Sequence, residues 1–150
     1  MSLRSDVEQI EGLKGHYHKG IQALKERDRN RVSVTSPVGS VDIDNALTSL
    51  YPTAHRWDYL IGHRLAASRI LLLWIEVHSA DGEHTIGEVT KKHDWLLQWV
   101  STTTLNRYQR YFYWVSSGKC SFTSRSPQMK SLAGKGIVFC GRRLTFDSRN

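Results

Sequence analysis

Three residues in the middle of the chain have types and spacing suited to chemistry: Asp58, Glu76 and His78. The last two close the stretch "ILLLWIEVHSADGEH", Ile70 to His84, in which six apolar residues precede a carboxylate, an imidazole and a polar loop. A strand buried on both faces explains Ile70 to Ile75 but not Glu76 or His78. Burying an ionised carboxylate without a partner costs several kcal/mol, so Glu76 calls for a cation, a metal or water beside it. Side chains alternate along a strand, which puts Trp74, Glu76 and His78 on one face. Asp58, in "RWDYLIGH", shares a face with Leu60. If the two runs pair as an antiparallel unit, Asp58 falls beside Glu76, and an Asp, a Glu and a His converge at one sheet end. Two such carboxylates suit Mg²⁺ or Mn²⁺, hard ions that prefer oxygen ligands and keep several waters. An ion held there would polarise an oxygen of a bound substrate and acidify a bound water.

The surrounding elements must position these residues. "SDVE" at Ser5–Glu8 reads as a capping box, and Val7, Ile10, Leu13, Tyr17, Ile21 and Leu24 follow at helical steps, predicting a helix to about Glu26. Gly12, Gly15 and Gly20 weaken that helix, and "KERDRNR" ends it. "VSVTSPVGSV" reads as strand or hairpin turning at Pro37–Gly39, and "DNALTSLYP" as a short helix capped by Asp44 and stopped by Pro52. "RWDYLIGH" and "RILLLWIEVHS" are strands joined through "RLAAS". "TIGEVTKKHDWLLQWV" is a helix with Ile86, Val89, Leu96 and Val100 on its buried stripe, and "YQRYFYWVSSG" a strand ending at Gly118. "SPQMKSLAGKG" is a short helix, and "IVFCGRRLTF" a final strand bent at Gly141. The expected class is α/β, a mixed central sheet flanked by helices. The 150 residues read as one domain, with an N-terminal helix and hairpin over 1–40 and a core over 41–150.

Composition excludes several classes of function. "MSLRSDVEQI" carries charges where a signal peptide needs its apolar stretch, and no apolar run approaches the roughly 20 residues of a membrane span. Two cysteines, Cys120 and Cys140, are too few for a disulfide framework or a zinc site of their own, which suits a cytoplasmic protein. The net charge of +7 is unevenly spread. Residues 1–100 hold 12 Lys and Arg against 13 Asp and Glu, whereas residues 101–150 hold nine basic residues against Asp147 alone. A basic third beside a histidine-bearing remainder suits a protein that grips a polyanion with one part and acts with another. Arg107, Arg110, Arg142 and Arg143 are the candidate contacts, two of them in "RYQRYFYW", where basic and aromatic residues interleave. The same letters also make a half-buried strand. "AGKGI" at Ala133–Ile137 lacks the spacing and Ser/Thr of a phosphate-binding loop.

An acid at the start of one strand, followed by an acid-x-basic triplet on the next, resembles the PD-(D/E)XK nuclease superfamily, with its restriction-endonuclease-like fold. Asp58 matches the first acid, Glu76 the second, and His78 stands where that family usually has lysine. The order of leading helix, three strands, helix and further strand is similar too. The resemblance implies a metal-dependent nuclease acting on DNA or RNA, with Mg²⁺ or Mn²⁺ on Asp58 and Glu76. It also implies a basic catalytic group, either His78 or a lysine recruited from the following helix. Glu88, Lys92, Trp95 and Trp99 are spaced to share one face of that helix, which makes Lys92 the candidate, with Lys91 the alternative. The rival is a non-catalytic nucleic-acid-binding or protein-interaction module on the same fold, with nucleic acid, and as an option a second copy of the chain, as partner. Each residue also has a plain structural reading: Glu76 paired with Arg56, Arg69 or a lysine, Asp58 capping a turn, His78 hydrogen-bonded at the core edge.

Overall fold

The apolar run that begins at Ile70 becomes the spine of the fold, an eleven-residue strand buried through Glu76. The computed structural model describes residues 2–122 and 126–148. In chain order the elements are α1 (Leu3–Glu8), β1 (Tyr17–Lys19), α2 (Glu26–Arg29), β2 (Val32–Val34), β3 (Pro37–Asp42), α3 (Ile43–Leu47) and β4 (Tyr59–Arg64). They continue with β5 (Ile70–Ala80), α4 (Glu83–Ser101), β6 (Gln109–Cys120), α5 (Pro127–Gly134), β7 (Ile137–Phe139) and β8 (Leu144–Phe146).

Six strands form one mixed sheet in the order β1-β3-β4-β5-β6-β7, and β2 pairs with β8 in a second, two-stranded sheet. The β1–β3, β3–β4 and β4–β5 pairs are antiparallel. The β5–β6 and β6–β7 pairs are parallel, as the crossovers through α4 and α5 require. The chain is therefore α/β, with a mixed six-stranded sheet and five helices among the described residues.

The two faces of the sheet are covered differently. Leu60, Leu72, Trp74 and Trp114 pack against residues of α1, α3, α4 and α5 in the larger core. Tyr59, Ile61, Leu73 and Ile75 face the other way, onto Leu24, Val32 and Leu144. Four helices thus share one face, whereas the expected helical flank on the other is largely the β2–β8 pair beside the four-residue α2. Among the described residues no helix is long and apolar enough to cross a membrane.

Several local expectations are corrected. The helix predicted to Glu26 ends at Glu8, because Gly12, Gly15 and Gly20 adopt φ of 90°, 83° and 59° and turn the chain. Its cap is Ser2, whose side chain accepts from the Ser5 amide, so the Ser5–Glu8 capping box does not form. "KERDRNR" contains α2 instead of closing a helix. Helix α3 is capped by Asp42, not Asp44, through a 3.0 Å bond from the Asn45 amide. "VSVTSPVGSV" is not a hairpin: β2 joins β8 and β3 joins the main sheet. "IVFCGRRLTF" is two strands in different sheets, parted by a turn with Gly141 at φ 69°. Strand β6 runs two residues past Gly118.

Candidate functional site

The register of β4 on β5 pairs Tyr59 with Ile75, which sets Asp58 across from Glu76. The two residues are locked reciprocally. The Asp58 amide donates to Glu76 Oε1 at 3.1 Å, and the Val77 amide donates to Asp58 Oδ2 at 2.9 Å. Each carboxylate therefore has one oxygen fixed by backbone and the other left to face the interior of the site. Both remaining oxygens meet the same ammonium. Lys92, on α4, donates to Glu76 Oε2, and its Nζ lies 3.7 Å from Asp58 Oδ1. Helix α4 can deliver this lysine because it crosses over β5 with Val89, Leu96 and Val100 buried, which turns the Glu88–Lys92 stripe towards the strand end.

His78 shares the face of Glu76, as strand alternation requires. Its Nδ1 is 3.6 Å from Glu76 Oε2, and its Nε2 is hydrogen-bonded to Glu88 Oε2. The indole Nε1 of the buried Trp114 donates to the His78 carbonyl at 2.9 Å and holds the strand end in place. Lys91 is exposed, on another face of α4. Arg56 pairs with Asp44 at 2.9 Å, so Glu76 takes its cation from the helix and not from that arginine.

Burial dominates the electrostatics. The Glu76 side chain is fully buried, and desolvation, with the Asp58 charge adding to it, holds its carboxyl well above the ordinary value of 4.5. Asp58 is also raised by burial, against the opposing pull of Lys92. For Lys92 burial pulls downward, but the two carboxylates outweigh it and the ammonium is held above 10.5. The hydrogen bond from His78 lowers Glu88. When both carboxyls are ionised, two carboxylates facing one ammonium leave this small volume short of positive charge.

That deficit, and the all-oxygen donor set, fit a hard divalent cation. Asp58 Oδ1 and Glu76 Oε2 are the atoms that would hold it. Among the described residues no group of three His, Cys, Asp or Glu gathers for an ion. Two carboxylates, with water and substrate oxygens completing the shell, is an ordinary Mg²⁺ arrangement.

A cleft of about 520 Å³ opens beside the cluster, lined by Asp58 and His78 together with Asp28, Asp42 and Asp44, and by Lys25, Arg27 and Arg31, with Arg27 3.9 Å from Asp28. Arg31 donates to the Ser116 carbonyl at 3.3 Å. Sequence reasoning missed these three basic residues, because they sit in the two-thirds of the chain that carries no net positive charge. The predicted arginine contacts are divided. Arg142 and Arg143, both exposed, follow Gly141, whose carbonyl accepts from the Ser116 amide at the Glu76 end of the sheet. Arg110 pairs in register with Leu72, and Arg107 precedes it, so both lie at the opposite end. Arg107 is also bonded to the buried Asp6 at 2.6 Å. Arg125 and Arg149, counted in the basic third, lie outside the described residues.

No family model, curated protein or solved structure matches this chain.

Proposed function

We propose that the chain is a metal-dependent nuclease of restriction-endonuclease-like fold that hydrolyses phosphodiester bonds in DNA or RNA. The observation that carries this reading is the backbone-locked pair Asp58 and Glu76, with one oxygen of each turned onto Lys92. The element order supports it: a leading helix, the three antiparallel strands β3, β4 and β5, a crossover helix and a parallel strand, with Asp58 immediately before the second of those strands and Glu76 on the third. A bound Mg²⁺ or Mn²⁺ supplies polarisation of the phosphoryl oxygen and a more acidic water. Asp58 and Glu76 hold their oxygens still through the Val77 and Asp58 amides, so that little reorganisation accompanies reaction. Lys92 places a fixed positive charge where negative charge grows on the phosphoryl group. Lys25, Arg27 and Arg31 draw the substrate backbone into the cleft, and Arg142 and Arg143 extend that surface at the same sheet end.

The test is cleavage of a plasmid and of a single-stranded substrate by purified protein with Mg²⁺ or Mn²⁺. Glu76→Ala abolishes cleavage, Lys92→Ala lowers it by at least ~10²-fold, and His78→Ala lowers it less. Cleavage undiminished in Glu76→Ala removes the site assignment. Absence of cleavage in the natural protein, with salt-sensitive binding retained, favours the binding-module reading instead.

A further inference from the structure

A second cavity, of about 630 Å³, lies at the other end of the same sheet, between α1, β1 and the β4–β5 connection. It is within the range of pockets that hold small organic ligands. Arg64 ends β4 and Asp58 precedes it, so six strand residues, on the order of 20 Å, separate this cavity from the carboxylate cluster.

Its walls carry Arg4, Lys19 and Arg64, its floor is apolar through Leu3, Val38 and Ile70, and no carboxylate of the described residues lines it. None of the three cations makes an ion pair with a described residue. Arg4 lies over the Tyr17 ring, 5.6 Å from its centre. That ring is held in place across β3, where a methyl group on Gly39 would overlap it. Arg64 lines the same cavity as Arg4 and Tyr17, so two guanidinium groups share one concavity. Ser68 also lines the cavity, in a connection where Ala67 and Ser68 adopt φ of 59° and 61°. Left-handed non-glycine pairs of this kind hold only where the surroundings enforce them. Three like charges gathered in a concavity without a counter-charge repel one another, and an anion relieves that repulsion. Guanidinium forks match phosphate oxygens in pairs. A phosphate monoester, with a charge of about −1.5 to −2 near neutral pH, balances three cations better than a diester does.

We infer that the cavity formed by Arg4, Tyr17, Lys19, Arg64 and Ser68 is a binding site for a phosphate monoester carried on a small organic body. Two sources present that group, a free nucleoside monophosphate and the phosphorylated end of a nucleic-acid strand. Titration calorimetry at low salt with adenosine monophosphate, adenosine, and one oligonucleotide bearing either a 5′-phosphate or a 5′-hydroxyl separates them. Binding of adenosine monophosphate but not adenosine supports the site with a free nucleotide as occupant. Binding that requires the 5′-phosphate on the oligonucleotide, with none to the mononucleotide, supports it with a strand end as occupant. In either case Arg4→Gln and Arg64→Gln each weaken binding by about tenfold or more, the scale of one charge-assisted contact, while Lys91→Gln on the far helix leaves it unchanged. Both arginines are exposed, so their variants keep the fold, which an unchanged melting temperature verifies. Equal binding of the 5′-phosphate and 5′-hydroxyl strands together with no preference for adenosine monophosphate over adenosine, undiminished binding in the Arg4→Gln/Arg64→Gln double variant, or no binding of any probe overturns the assignment.

Discussion

Replacing Lys92 by methionine removes the one ammonium shared by Asp58 and Glu76 while keeping the apolar stem that packs along β5. Glu76 is completely buried and the Lys92 side chain 19% exposed, so solvent replaces little of the lost interaction. Breaking a buried ion pair from one side costs about 3–5 kcal/mol when the remaining charge stays ionised. Glu76 has an escape, because it can take up a proton, and this makes the cost depend on pH. Its folded carboxyl is already held well above 4.5, mainly by burial. A folded group with a raised value binds its proton before the unfolded chain does. It therefore favours folding at low pH, and that contribution is lost as pH climbs from 4.5 through the folded value. Without Lys92 the folded value rises further, so the variant loses more over the same climb. Urea denaturation with a chelator present should give a loss of about 3–5 kcal/mol at pH 8, roughly 6–20 °C in melting temperature for a chain of this size. At pH 4, where Glu76 is largely protonated in the folded variant, the loss should shrink to about 1 kcal/mol or less. Lys92 itself is held above 10.5, so its own titration does not enter this range. Equal losses at pH 4 and pH 8 would refute the coupling of Lys92 to a buried ionised Glu76.

Two further outcomes follow from the same geometry. Millimolar Mn²⁺ or Mg²⁺ should raise the melting temperature of the natural protein, by about 3 kcal/mol of stability at a hundredfold excess over Kd, and Asp58→Ala should abolish that gain; an undiminished gain in the variant would remove Asp58 from the ion's ligands. Charge reversal at Arg142 and Arg143, on the site's end of the sheet, should weaken nucleic-acid binding and flatten its salt dependence more than reversal at Arg107 and Arg110, as measured by fluorescence anisotropy over a salt series; the opposite ranking would relocate the binding face.

The convergence of Asp58 and Glu76 was legible because a short connection favours antiparallel pairing of the two apolar runs, which lays the start of the first, at Asp58, beside the end of the second, at Glu76. Lys92 was legible as a helix-face residue only after the resemblance had raised the need for a migrated base. The helix predicted from Val7 to Leu24 fails for a physical reason: its apolar spacing is genuine and buries Val7, Leu13 and Leu24, but three glycines at positive φ let separate turns bury them. The local pattern points to Asp44 as the cap of α3, although Asp42 is equally within reach of a helix start. The backbone decides it, since Asp42 ends β3 in extended conformation with its side chain free to turn back. The β2–β8 pairing joins residues more than 100 positions apart, with three-residue strands whose local pattern names no partner. Charge summed by segment likewise concealed Lys25, Arg27 and Arg31, which tertiary structure brings to the cleft.

Histidine in the place where the resembling family usually has lysine has an account in the same packing. Residue 78 points to the side of β5 on which α4 lies, so its side chain enters the space already supplied with an ammonium by Lys92. A second ammonium there would oppose the first across one pair of carboxylates. The imidazole instead spans Glu76 and Glu88, and Glu88 stands one helical turn before Lys92 on the same face. Acids and bases then alternate from Glu88 through His78, Glu76 and Lys92 to Asp58, each base set between two carboxylates. In such an arrangement the charge that Lys92 brings and the shape of His78 belong together. A lysine placed at 78 is redundant while Lys92 stands, and its worth as a cation is measurable only in a Lys92→Ala background.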